Sequence, residues 1–214
     1  MNFEATPDQR AAAATYRAIA LRHFAPSPRR GFDWATWRAL SEAGLWRTLV
    51  AGRDAGADAS LNVFIAAFEA IVAATRSVGF AMALANQATV IRALLLHGTP
   101  AQRDRFLPAL PIGDMTFDGV PVGTDDLLCT PKDGLRVLMD IASMNRALFG
   151  LLCADVVGPF LDDALAYVGE RGALGVTLDK HQHVQRRLVD IHVGAERSRW
   201  MALAALDQLR AGDP

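Results

Sequence analysis

The sequence predicts an all-α fold interrupted by one short extended insert, and three observations predict it. Apolar residues recur at helical spacing through most of the 214 residues, as at Ala12, Tyr16, Ile19, Ala20 and Phe24. Helix-boundary residues stand where such stretches begin and end, most clearly in "HGTPAQ" at 97–102. Strand-like alternation is confined to "MTFDGVPV", 115–122, inside the Pro- and Gly-rich stretch 109–123. Two packed helical layers follow from this pattern.

In chain order, the first helix spans Pro7 to His23 and "APSPRRG" ends it, because two prolines and a glycine cannot continue a helix. A second begins near Phe32 with Asp33 as its cap, carries Trp34, Trp37 and Leu40, and stops at Gly44. "VAGRDAGADAS" reads as a loop, after which Ser60 caps "LNVFIAAFEAIVAATRS". The apolar "VGFAMALANQATVIRALLLH" follows. It is long enough to cross a bilayer, but Asn86, Gln87 and Arg92 are costly in lipid, so a buried helix and no membrane span is the expectation. Gly98 ends that helix, Thr99 caps the next, Pro100 takes its first position and Gln102 completes a capping box. Beyond the extended insert, long helices are expected over about Leu135–Tyr167, ending at Gly169 or Gly172, and over about Leu178–Leu209.

Composition excludes several function classes. With 51% apolar and 21% charged residues the chain is globular rather than disordered, and long enough to bury a core. A formal charge of −1 argues against a nucleic-acid binder, which normally shows a basic face. Cys129 and Cys153 have neither metal-ligand nor disulfide spacing, and Cys153, inside "LFGLLCADVVGPFL", reads as a small buried side chain. The N-terminus, with Glu4 and Asp8, lacks the apolar core of a signal peptide, so a cytoplasmic protein is expected. His181 and His183, two apart, point to nearly opposite sides of a helix, and His192 lies three turns from His181, so no metal site is expected. The four tryptophans, Trp34, Trp37, Trp46 and Trp200, read as core or interface anchors.

Four quoted runs carry a resemblance: "WRALSEAGLWRTL", "IAAFEAIVAATRSVGFAMALANQ", "LLLHGTPAQRDRFLPALPIGD" and "ALAYVGERGALGVTLDKHQHVQRRLVDI". Together they resemble the helical domains of the acyl-CoA dehydrogenase family, with Tyr167, Glu170, Arg171, Gly175, His181, Gln182 and Leu188 in register. The resemblance implies an N-terminal helical domain over 1–112, a remnant of the β-domain as linker over 113–132, and a truncated C-terminal helical domain over 133–214. The family's middle β-barrel, which helps bind the flavin and covers the acyl thioester, is reduced here to "MTFDGVPVGTDDLL". Two further C-terminal helices of the family, which bear a glycine pair near the flavin and often the catalytic glutamate, have no counterpart either.

Other members place that glutamate on the first C-terminal helix, just before an arginine, and here the pair reads Asn145-Arg146. An amide has no accessible basic form, so self-sufficient dehydrogenation is not expected. The resemblance implies an acyl-CoA or acyl-carrier-protein thioester as ligand, with Asn145 and Arg146 as binding residues. Arg146 pairs with a phosphate or an acyl-carrier phosphopantetheine in one reading, and in the other is a helix-surface arginine neutralised by Asp140 or a neighbouring domain. Arg171 and Gln182 match positions that reach flavin diphosphate across a subunit interface, so FAD is expected only if those contacts persist. A homodimer, or a heteromer with a full-length relative, is the implied assembly.

Asp155 stands apart from the resemblance, where the family has a small residue. Buried, it needs a raised pKa or an arginine partner and becomes an acid/base candidate for catalysis; exposed by loss of the barrel, it is merely solvated.

Overall fold

A computed structural model of the chain describes residues 4–24, 31–50, 57–107, 121, 123–130 and 132–211, with the backbone alone at 57–60 and 210–211. The described residues form eight α-helices: α1 Pro7–His23, α2 Trp34–Glu42, α3 Arg47–Val50, α4 Ala57–Thr75, α5 Val78–His97, α6 Pro100–Phe106, α7 Gly134–Glu170 and α8 Gln182–Ala211. The extended run expected over 115–122 lies outside the described residues except for Pro121, as do most of the linkers at 25–31 and 50–60.

Local chemistry places most boundaries. Thr6 and Thr99 each cap a helix, accepting from the backbone N–H of Gln9 and Gln102, whose side chains return the bond. Asp33 caps α2 through the Thr36 N–H. Ser60 is no cap, because α4 starts at Ala57 and takes in two alanines, the best helix formers. After Gly44, which sits at φ +88°, the chain re-enters helix as the short α3 that a stop at Gly44 does not foresee.

Between α7 and α8 stands a hairpin the sequence reading missed. Strands β1 (Gly172–Ala173) and β2 (Val176–Thr177) pair antiparallel around Leu174 and Gly175, with φ of 53° and 84°. Positive φ at both loop positions is the primed turn that suits tight hairpins. A single 3-10 turn over Leu178–Lys180 follows, so α8 begins at Gln182 rather than near Leu178.

Helix α4 is the axis of the core, burying Leu61, Phe64, Ile65, Phe68, Ile71 and Val72 between α1 on one side and α7 on the other. Trp37 and Trp46 lie 5.2 Å apart by ring centroids, and Phe32 stacks on Phe80 beside them. Trp200, by contrast, is 42% exposed. Helix α5 has the length and apolarity to cross a bilayer, yet its buried residues, Phe80 to Leu94, pack in this core against α7.

Thirty-seven residues make α7 about 55 Å long. Its first half packs on α4 and α5; past Ala154 only Val168 is buried. Helix α8 returns along it and buries only Ala202 and Leu206 among its described residues, so the far halves of the two helices form a projecting arm. Where α8 meets the body the approach is close. A Cβ built on Gly150 would stand 2.9 Å from the Ala202 Cβ, and the Ser198 hydroxyl donates to the Gly150 carbonyl at 2.9 Å.

Candidate functional site

Two polar groupings on α7 carry the residues that the sequence singles out. The first lies on the seam between α7 and α5. Asn145 Nδ2 donates to Asn86 Oδ1 at 2.9 Å, and Asn145 Oδ1 is sealed from solvent with no donor upon it. Asp140 reaches His97 across the same seam, Oδ2 to Nε2 at 3.3 Å, without hydrogen-bond alignment. Asp140 therefore does not neutralise Arg146, which is exposed and makes no ion pair among the described residues. The seam offers a neutral amide and the Asp140 carboxylate, with the exposed Arg146 next to Asn145 along α7. It can hold an anion or a polar carbonyl, but residue 145 cannot take a proton from carbon.

Asp155 belongs to the second grouping. Nine residues beyond Arg146 is two and a half helical turns, so its side chain leaves the opposite side of α7. The structure thus does not bring Asp155 and Arg146 into one site. Asp155 is not simply solvated: Oδ2 is sealed without a partner, and its environment is Glu69 of α4 and Arg199 of α8. Arg199 directs Nη2 and Nε at one oxygen of Glu69, at 2.7 and 2.9 Å.

Electrostatics follow from the count of charges. Burial, reinforced by the Glu69 charge and eased by Arg199, pushes the Asp155 carboxyl up to about 8. Burial raises Glu69 as well, with Arg199 holding it back. Desolvation acts against the Arg199 charge, but Glu69, Asp155 and Glu196 outweigh it and keep the guanidinium charged. Neighbouring Cys153 is exposed, not buried, because the turn of α7 that carries Asp155 inward carries residue 153 outward.

Glu69 and Arg199 escaped the sequence reading. Glu69 had a signal, as the lone charge in the apolar run 61–75; Arg199 had none, lying among other charges of α8. Pro159 was also overlooked. A proline there removes the helical donor to the carbonyl four residues back, which is that of Asp155.

Arg171 and Gln182 lie at the far end of the arm, flanking the hairpin, and both side chains are exposed. As hydrogen-bond donors open to solvent they fit the edge of a diphosphate. The turn between them offers no apolar wall for a flavin ring, since Leu174 is 94% exposed. Within one chain they therefore fit part of a flavin site and not the whole.

Comparison with known proteins places the two halves. Residues 6–114 match the acyl-CoA dehydrogenase N-terminal domain and residues 132–214 the acyl-CoA dehydrogenase C-terminal domain. "Probable acyl-CoA dehydrogenase FadE25" of Mycobacterium tuberculosis (strain ATCC 25618 / H37Rv) is 24% identical over 115 residues. Its namesake in Mycobacterium leprae (strain TN) is 22% identical over the same length. The matched stretch is 54% of this chain and 30% of each relative, so the likeness spans less than a third of those proteins.

Proposed function

Because the chain belongs to the acyl-CoA dehydrogenase family by both its helical domains, we propose that it binds an acyl thioester without dehydrogenating it unaided. The ligand is a CoA or carrier-protein thioester, and the site is the α5–α7 seam. The observation that carries this reading is Asn145: an amide bonded to Asn86 occupies the helix position just before the exposed Arg146. Only residues 115–131 separate the two family matches, too few for a domain that would cover the substrate. Arg146 supplies the charge for a phosphate of the carrier moiety, and the reaction served is a non-redox step such as cyclisation or isomerisation in cytoplasmic biosynthesis. Titration of a short acyl-CoA into the purified protein tests it: binding that weakens about tenfold or more in Arg146→Ala is expected. Affinity unchanged by that substitution overturns the assignment.

The exposed ends of Arg171 and Gln182 favour a second reading, in which the chain is one subunit of an FAD-dependent assembly. The exposed Val189 and Val193, one turn apart on α8, supply an apolar face for a second copy or a full-length relative. Arg171 and Gln182 would hold the diphosphate edge of FAD there, and the flavin when bound supplies hydride acceptance. Absorbance near about 450 nm in the co-purified complex supports this reading. A colourless homodimer that takes up no added FAD removes it.

A further inference from the structure

Three helices meet at Asp155, and they bring two carboxylates to a single guanidinium. Glu69 comes from α4, Asp155 from α7 and Arg199 from α8, with Glu196 of α8 the remaining charge acting on Arg199. Arg199 is committed to one oxygen of Glu69. Asp155 Oδ2 receives no donor and no solvent. Two negative charges against one positive leave a buried excess of −1 unless a proton is held. We propose that Asp155, Glu69 and Arg199 form a proton-holding latch that fastens α8 to α4 and α7, closed with one proton on the carboxylate pair and loosened when that proton leaves.

The latch has a mechanical context. Helix α8 packs on the body through Ala202, Leu203, Ala205, Leu206 and Leu209, and its polar fastenings include the Ser198 bond to Gly150, the Arg92 bond to the Leu209 carbonyl at 2.9 Å, and the Arg199–Glu69 pair. Pro159 leaves the Asp155 carbonyl without its helical donor, so α7 lacks one backbone bond beside the latch. Loss of the proton places unpaired charge at that point.

The direction in pH follows from which state keeps the proton. Asp155 holds its proton in the folded chain up to about 8, against 3.8 unfolded. Between those values the folded state binds more protons than the unfolded one, so this contribution to stability is full below the lower value. It falls as pH rises and is gone above the upper one.

Hydrogen exchange along α8, corrected for the intrinsic rate and followed from about pH 6 to about pH 9.5, reads the latch directly. In the wild-type protein, protection over 195–209 falls by about tenfold or more across that range. In Asp155→Asn, which keeps the shape of the protonated acid, the fall is absent. Equal pH dependence in the two proteins overturns the proposal. Should Asp155→Asn fail to fold, the carboxylic-acid stretch in the infrared spectrum of the wild type decides the matter. A buried-acid band near neutrality that disappears as pH passes about 8 supports the latch, and its absence overturns it.

Discussion

Asn145 and Asn86 join α7 to α5 through a single amide–amide hydrogen bond of 2.9 Å, and only one end of the Asn145 amide is used. Its Oδ1 is buried without a donor, so the pair is half satisfied. Two substitutions separate the bond from the buried acceptor. Asn145→Ala removes both and leaves space, and a loss of about 1 kcal/mol is expected in urea unfolding. Asn145→Leu fills the space and removes the unsatisfied oxygen, so stability near or above the wild type is expected. Loss of more than about 2 kcal/mol in Asn145→Leu would show that the amide is anchored by more than this bond.

Gln102 does more than its capping role. Its Oε1 accepts from the Thr99 N–H at 2.9 Å, while Nε2 donates to the carbonyls of Asp125 at 2.8 Å and Leu127 at 3.1 Å. One buried amide therefore starts α6 and pins the segment before α7 onto it. Gln102→Ala should cost about 2 kcal/mol, since it strands several backbone groups. Gln102→Glu keeps the bond to Thr99 but faces two carbonyls with a carboxylate, and should cost at least as much. Both losses should appear in thermal unfolding, and a neutral Gln102→Ala would mean the segment is held otherwise.

The capping half of Gln102's role was readable from "TPAQ" because a capping box is written within four residues. Its hold on Asp125 and Leu127 was not, since those contacts span more than twenty residues and no local pattern encodes them. The same division runs through the chain. Helical period located α1, α4 and α5, and the residues chosen in α1 do pack on the core. The β1–β2 hairpin was invisible because two-residue strands are too short to show a period. At the sites, residue 145 could be read from its place beside Arg146. Asp155 is readable as a charge in an apolar run, yet its neighbours are not, because Glu69 and Arg199 come near it only once α4, α7 and α8 have packed.

A close approach of α7 and α8 at Gly150 gives a steric test. A methyl at Gly150 would lie 2.9 Å from the Ala202 Cβ, nearer than carbon atoms tolerate, so one helix must give way. Gly150→Ala gains up to about 1 kcal/mol of helix propensity and loses about 1–3 kcal/mol to overpacking, so a net loss is expected. The compensating change Ala202→Gly makes room again. The double variant should recover most of the overpacking cost in a double-mutant cycle, and strict additivity would mean that the two helices are free to slide apart.

Removing Arg199 exposes what its charge is needed for. Glu69 is 18% exposed and Arg199 35% exposed at the side chain, so the pair is partly screened and weaker than a fully buried one. Arg199→Met leaves two carboxyls together without a cation, and a loss of about 2 kcal/mol is expected near neutral pH. That loss should shrink on acidification, because Glu69, already raised by burial, then takes a proton and the excess charge disappears. Glu69→Met alone leaves Arg199 facing Asp155, which then ionises readily and takes over as the partner; its cost should be smaller. The double change Glu69→Met with Arg199→Met replaces the ion pair by apolar contact and should be less damaging than Arg199→Met alone. Urea unfolding at about pH 6 and about pH 8 measures all three. An Arg199→Met loss that is equal at the two pH values would mean that Arg199 acts through packing of its aliphatic stem rather than through charge.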